Sequence, residues 1–168
     1  MDQVCCVIDF DGFRVSGQFL VREFGYIGIN SSTGSSVRFD LRPYEEDISR
    51  SEWKTIDYVT KHITGLPFHP MENEETAPLR LLKCKVIAVH DLYRTDDKNV
   101  VAYKGGNVEK DLLQQLNIPY LNLEDYGCPK FDILKNQQTY ENCGYHIRDK
   151  HCPLAEVTAF RNWMLENI

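Results

Sequence analysis

The chain has 168 residues, 42% of them apolar and 26% charged, with a formal net charge of −6. Those fractions exclude a wholly disordered chain, and the length suits a single domain over residues 1–168 that buries a core without crosslinks. The acidic balance argues against a tight, sequence-blind binder of phosphate backbones, although an acidic cleft holding divalent cations reverses its own local charge.

Met1, Asp2 and Gln3 supply no basic leader, Asp9 and Asp11 interrupt the first apolar run, and no uncharged run reaches membrane-spanning length. An intracellular protein, cytoplasmic or nuclear and without a membrane partner, is the expectation. The six cysteines (Cys5, Cys6, Cys84, Cys128, Cys143 and Cys152) then read as reduced thiols or metal ligands rather than disulfides.

Residues 4–10 form a continuous apolar run closed by acids, the signature of a buried central strand. Residues 18–30 alternate and are rich in aromatic and β-branched side chains, and residues 35–41 repeat that pattern after a turn at 31–34. Three strands joined by short links predict an antiparallel meander. Ser51 is placed to cap a helix running from Glu52 to about Gly65, on the spacing of Trp53, Ile56, Val59 and Ile63. Thr76 with Pro78 reads as the start of a second helix reaching about Tyr93. A short strand at 99–103, a break at Gly105-Gly106, a helix at 108–116, a strand at 118–123 and a last helix at about 153–166 complete the chain. The order predicts an α/β fold: a mixed five-stranded sheet, antiparallel then parallel, flanked by helices.

Three places carry acids that chemistry could use. Asp9 and Asp11, one residue apart at the predicted end of the first strand, point to the same face and repel each other unless a cation lies between them. A polar strand end turning at Asp11-Gly12 is the bland alternative. Glu109 sits in the first turn of the helix after Gly105-Gly106, where the helix dipole alone also favours an acid. His151 precedes the last helix and Glu156 lies a turn into it, which puts a proton acceptor beside a carboxylate. A capping histidine and an exposed glutamate are the alternative there.

Taken in order, these residues resemble the DEDDh, or DnaQ-like, 3′–5′ exonucleases of the RNase H-like superfamily, over nearly the whole chain. Asp9 and Asp11 stand where that family has Asp-x-Glu at its first strand. The segment 100–103, a polar break, then Glu109 with Leu112 and Leu113 resembles the middle motif. His151 and Glu156 resemble its closing His and Asp, and Thr64-Gly65-Leu66-Pro67 is similar to its His-Gly-Ile stretch. The resemblance implies an RNase H-like fold, with Asp9, Asp11, Glu109 and Glu156 holding two Mg2+ or Mn2+ ions and His151 as general base, acting on RNA or DNA. The sequence departs from the family at three acids: Asp11 stands for Glu, while Glu109 and Glu156 stand for Asp. Each exchange moves a ligand by one methylene, about 1.5 Å, which octahedral magnesium tolerates poorly. Asp111 is an alternative to Glu109 if the helix begins elsewhere.

Cys143-Gly144-Tyr145-His146 is a C-x-x-H knuckle, with Cys152 following shortly. Thiolates and an imidazole are the ligands Zn2+ prefers; buried free cysteines beside a surface histidine are the alternative. The spacing resembles the Glu-Cys-His-Cys zinc site of the arenavirus nucleoprotein exonuclease domain and of the Maelstrom domain. That resemblance implies Glu23, an odd acid within an apolar strand, as the fourth ligand of a structural zinc held by Glu23, Cys143, His146 and Cys152. Cys128 substitutes if Glu23 faces away. Two functions follow: a metal-dependent exonuclease-like domain with RNA preferred, or a catalytically silent, Maelstrom-like module that binds nucleic acid or protein and is stabilised by zinc.

Overall fold

The computed structural model describes residues 1–138, 140–146 and 151–167. The chain opens on two long strands, β1 (Val4–Val15) and β2 (Gln18–Gly28), linked by a turn in which Ser16 and Gly17 both take positive φ. After β3 (Ser35–Asp40) and a 3-10 turn at Arg42–Asp47 comes α1 (Arg50–Val59). It continues into a π-helical turn, Thr60–Thr64, closed by Gly65 at φ 70°. β4 (Ala77–Pro78), a 3-10 turn at Leu79–Leu81 and α2 (Leu82–Tyr93) follow. The remaining elements are β5 (Val100–Tyr103), α3 (Asn107–Gln115), β6 (Tyr120–Asn122), a 3-10 turn at Leu123–Tyr126, α4 (Phe131–Leu134) and α5 (Pro153–Asn167).

The strands make one mixed sheet in the order β4-β3-β2-β1-β5-β6. β1, β2 and β3 pair antiparallel, while β4, β5 and β6 join in parallel. The α/β architecture matches the sequence expectation, but the sheet has six strands rather than five. The additional strand is β4, paired with Phe39 and Asp40 at the edge. Pro78 forces Ala77 away from helical angles, so the segment read as a helix start adds an edge strand instead, and the helix waits until Leu82. The cap of α1 also shifts. Ser49, not Ser51, accepts from the Glu52 N–H, and the Glu52 carboxylate returns to the Ser49 N–H in a capping box.

Each face of the sheet carries its own apolar layer. Ile8, Phe10 and Phe24 point toward α1, α2 and α3, meeting Ile56, Val86 and Leu113. Val7, Ile27 and Ala102 point the other way, onto Val157, Phe160 and Met164 of α5. The cross-strand pairs Val7–Ile27, Asp9–Gly25 and Asp11–Glu23 lie in sequence along this second face. A side chain at position 25 would place its Cβ 2.5–2.8 Å from backbone atoms of Pro153 and Leu154. The bare Cα of Gly25 therefore lets the first turn of α5 close onto β2. Among the described residues, no helix is long and apolar enough to cross a membrane.

Candidate metal centres

The acids predicted at a strand end lie in mid-strand, because β1 runs on to Val15. What ends near them is the partner strand: β5 pairs with β1 only as far as Val7. Beyond that point the β1 edge is open, and the Phe10 N–H donates to Glu109 Oε1 at 3.1 Å. Opposite, the register shifts between Asp11 and Gly12, leaving Arg22 as an extra residue in β2. A Cβ on Gly12 would stand 2.0 Å from the Leu20 carbonyl oxygen, so the bulge requires glycine.

Two clusters result. In the first, carboxylate oxygens of Asp9, Asp11 and Glu156 lie within 4.8 Å of one another. Asp9 Oδ2 and Asp11 Oδ2 are buried with no hydrogen-bond partner. Burial, then Glu156, then Asp11 and Glu109 push the Asp9 carboxyl well above the usual range. Asp11 is raised by burial, Glu156 and Glu23, with His146 opposing. Three acids packed this way must take up protons or a cation, and hard oxygen donors suit magnesium or manganese. Glu109 lies outside the 4.8 Å group, with one oxygen committed to Phe10. It remains electrostatically joined to the group: burial chiefly, aided by Glu156 and opposed by backbone hydrogen bonds, raises it to about 7. Asp111, two residues on and so on another side of α3, is exposed and lines a separate cavity beside Arg14 and Phe19, so it does not replace Glu109.

His151 reaches the rim of this cluster. Its Nδ1 is 3.2 Å from Glu156 Oε1, and its Nε2 is 3.3 Å from Asp132 Oδ1 on α4. Glu156 first, with Asp132 adding and burial opposing, raises the imidazole above its ordinary value. Both ring nitrogens are thus engaged by carboxylates. The His151 N–H donates to Ile63 O in the π-helical turn.

The second cluster joins Glu23, Cys143, His146 and Cys152, whose ligand atoms also lie within 4.8 Å of one another. His146 Nε2 is 3.0 Å from Glu23 Oε1, and Cys152 Sγ is 3.7 Å from the same oxygen. A tetrahedral zinc ion with its usual bond lengths separates its ligands by about 3.3–3.8 Å, so the donor set and its spacing fit zinc. His146 Nδ1 donates to the Thr64 carbonyl, which fixes the ring and turns Nε2 inward. The Cys143 thiol is pushed down to about 3, chiefly by its contact with Cys152 and against burial. Cys152 is pushed up, chiefly by that same contact. Hydrogen bonds to Cys143 and Glu23 outweigh burial and raise His146 to about 10. The four groups thus compete for protons that a sulfur-loving cation would displace.

Glu23 faces this cluster, which leaves no role for Cys128 as its substitute; Cys128 packs in the α5-side core, where burial raises its thiol to about 11. Sequence reasoning overlooked three supporting residues. Arg38 places Nη1 3.7 Å from Glu23 Oε2 and its guanidinium 4.1 Å from the centre of the Tyr145 ring. Asp132 holds His151 from outside. Arg22, fully buried, grips Glu74 through two hydrogen bonds of 2.6 and 2.8 Å and donates to Pro67 O, fixing the segment after Gly65. A charged residue inside an apolar strand is the signal that could have flagged Arg22, as it flagged Glu23. Of the basic residues nearest the motifs, Lys104 and Lys110 flank the Gly105-Gly106 break, while Arg148 and Lys150 lie outside the described residues.

Comparison with protein-family models, curated proteins and solved structures finds no match to this chain.

Proposed function

We propose that the chain is a metal-dependent 3′–5′ exonuclease-like domain of RNase H-like type that hydrolyses phosphodiester bonds in RNA or DNA, with RNA preferred. The observation that carries this reading is the convergence of Asp9, Asp11 and Glu156, with two buried oxygens left unpartnered. An antiparallel trio followed by parallel strands supports the RNase H-like part of the reading. Mg2+ or Mn2+ ions, when bound, supply Lewis acidity and positive charge for phosphodiester hydrolysis. Asp9, Asp11 and Glu156 would hold them, with the second oxygen of Glu109 as a further donor.

His151 would move the proton. Its Nδ1 is turned to Glu156 at the rim of the acids, 3.2 Å from Oε1, where the ring would take up a proton released at the cluster. Asp132 then holds the opposite nitrogen and the ring plane. Glu23, Cys143, His146 and Cys152 would hold a structural Zn2+, tying the segment before α5 to β2 and so keeping His151 beside the acids. The test is a 3′-labelled strand incubated with magnesium or manganese. Wild type should shorten it, and Asp9→Ala and Glu156→Ala should not. Intact strand with every protein would end the exonuclease reading.

A second reading is a catalytically silent, zinc-stabilised module that resembles the Maelstrom domain and binds nucleic acid or protein. The commitment of Glu109 to the Phe10 N–H favours it, because the acid set then tightens around three carboxylates rather than four. Measurable RNA binding without turnover would select this reading.

A further inference from the structure

Beyond the carboxyl ends of β5 and β6 lies a cavity of about 610 Å³, outside both clusters. Its volume is within the range of small-molecule sites. Tyr103 and Tyr120 form part of its wall, their ring centres 6.1 Å apart, and the ring of Tyr126 stands half exposed beside them. Glu124 and Asp125 are exposed carboxylates on its lining, against a single lysine, Lys110.

The floor is bare where the chain leaves β5. A Cβ on Gly105 would lie 3.5 Å from Glu124 Oε2, and one on Gly106 would lie 3.6 Å from Glu109 Oε2. The glycine pair therefore borders the carboxylate of the cavity on one residue and that of Glu109, beside the acid cluster, on the next. Two acids and one lysine make the lining repel phosphate and accept hydrogen bonds from neutral donors. The exposed ring of Tyr126 and the half-buried ring of Tyr120 offer stacking surface to any base, while Tyr103 is itself buried.

We infer that this cavity is a nucleoside subsite, taking the base against the tyrosines and the ribose hydroxyls on Glu124 and Asp125. The inference rests on the exonuclease reading for the strand to which the nucleoside belongs. The uncharged base and sugar lie in the cavity, while the phosphodiester lies on the Glu109 side. Carboxylates that accept from the 2′-hydroxyl make the subsite discriminate ribose from deoxyribose, since deoxyribose lacks that donor. RNA preference is thereby assigned to the segment after β6 rather than to the acid cluster.

The experiment titrates adenosine, and separately 2′-deoxyadenosine, into the zinc-supplemented full chain and follows backbone amides by NMR. Adenosine should shift the Gly105, Gly106 and Asn122 amides saturably, with the deoxynucleoside roughly tenfold weaker, as expected for one lost hydrogen bond to a charged acceptor. Tyr126→Ala should weaken both about fivefold or more. Glu124→Gln with Asp125→Asn should erase the ribose preference while keeping the shared stacking affinity; all three positions are exposed, so these variants should fold. Equal binding of the two nucleosides overturns the ribose assignment, and absence of amide shifts with adenosine overturns the subsite. Neither titration involves hydrolysis. A chain that binds adenosine here yet degrades no strand keeps the subsite and loses the exonuclease reading; a chain that degrades strands without these shifts does the reverse.

Discussion

Asp11 and Glu23 are paired residues on neighbouring strands, yet each belongs to a different cluster. One rung of the β1–β2 ladder thus joins the hard, all-carboxylate group to the mixed sulfur, nitrogen and oxygen group. Glu23 contributes to the raised carboxyl of Asp11, and His146 opposes it. Occupancy of the second cluster therefore bears directly on the first.

Elemental analysis of protein purified without added metal should give about one zinc per chain. Cys152→Ser should abolish it, because that sulfur lies against Glu23 and accepts from the Cys143 N–H at 3.2 Å. Strong chelation should lower stability by several kcal/mol or more, read as a fall in Tm. An unchanged melting curve in chelator, with no zinc found, would remove the assignment.

Gly25→Ala tests how α5 reaches the acids. The new methyl group meets the Pro153 backbone at 2.5–2.6 Å, and neither strand nor helix start can yield cheaply. Loss of about 2 kcal/mol or more is expected, with both metal occupancy and strand degradation falling together. Wild-type stability and activity would show that α5 does not seat on this glycine.

The Arg22–Glu74 pair tests the segment that follows the π-helical turn. Both side chains are essentially buried. Glu74→Ala leaves the guanidinium buried without its partner and should cost about 3–5 kcal/mol. Replacing both residues together, Arg22→Met with Glu74→Leu, should recover much of that loss. Urea unfolding of the three proteins measures it; equal loss in single and double variants would contradict the pairing.

Much of the fold is written in local pattern. The apolar run of β1, the alternation in β2 and the helical spacing in α1, α3 and α5 each specify an element with little tertiary help. The paired acids and the Cys-x-x-His knuckle were legible for the same reason, since their chemistry is compressed into few residues. Other features depend on distant partners. Whether Asp9 sits at a strand end or in mid-strand depends on where β5 stops. Whether 77–78 opens a helix or adds a strand depends on β3 lying beside it. The role of Gly25 exists only once α5 lies across the sheet, and Asp132 becomes relevant only through a contact with His151 from another element.

Glu52 supplies a pH dependence remote from either cluster. Its carboxylate accepts from the Ser49 and Ser16 N–H groups, which hold it below its ordinary value of 4.5. A carboxyl depressed in the folded state stabilises above its unfolded value and loses that contribution as pH falls through the folded value. Glu52→Ala should therefore lower Tm at pH 7, and the gap to wild type should close progressively below about pH 4.5. A gap that persists unchanged into acid would mean that the charge contributes nothing.

If Asp9, Asp11 and Glu156 hold a divalent cation, that ion should be visible directly. The most direct measurement is anomalous scattering from crystals soaked in manganese. A manganese peak should appear within bonding distance of all three carboxylates and be lost in Asp9→Asn. Well-ordered carboxylates with no peak between them at saturating manganese would contradict that binding.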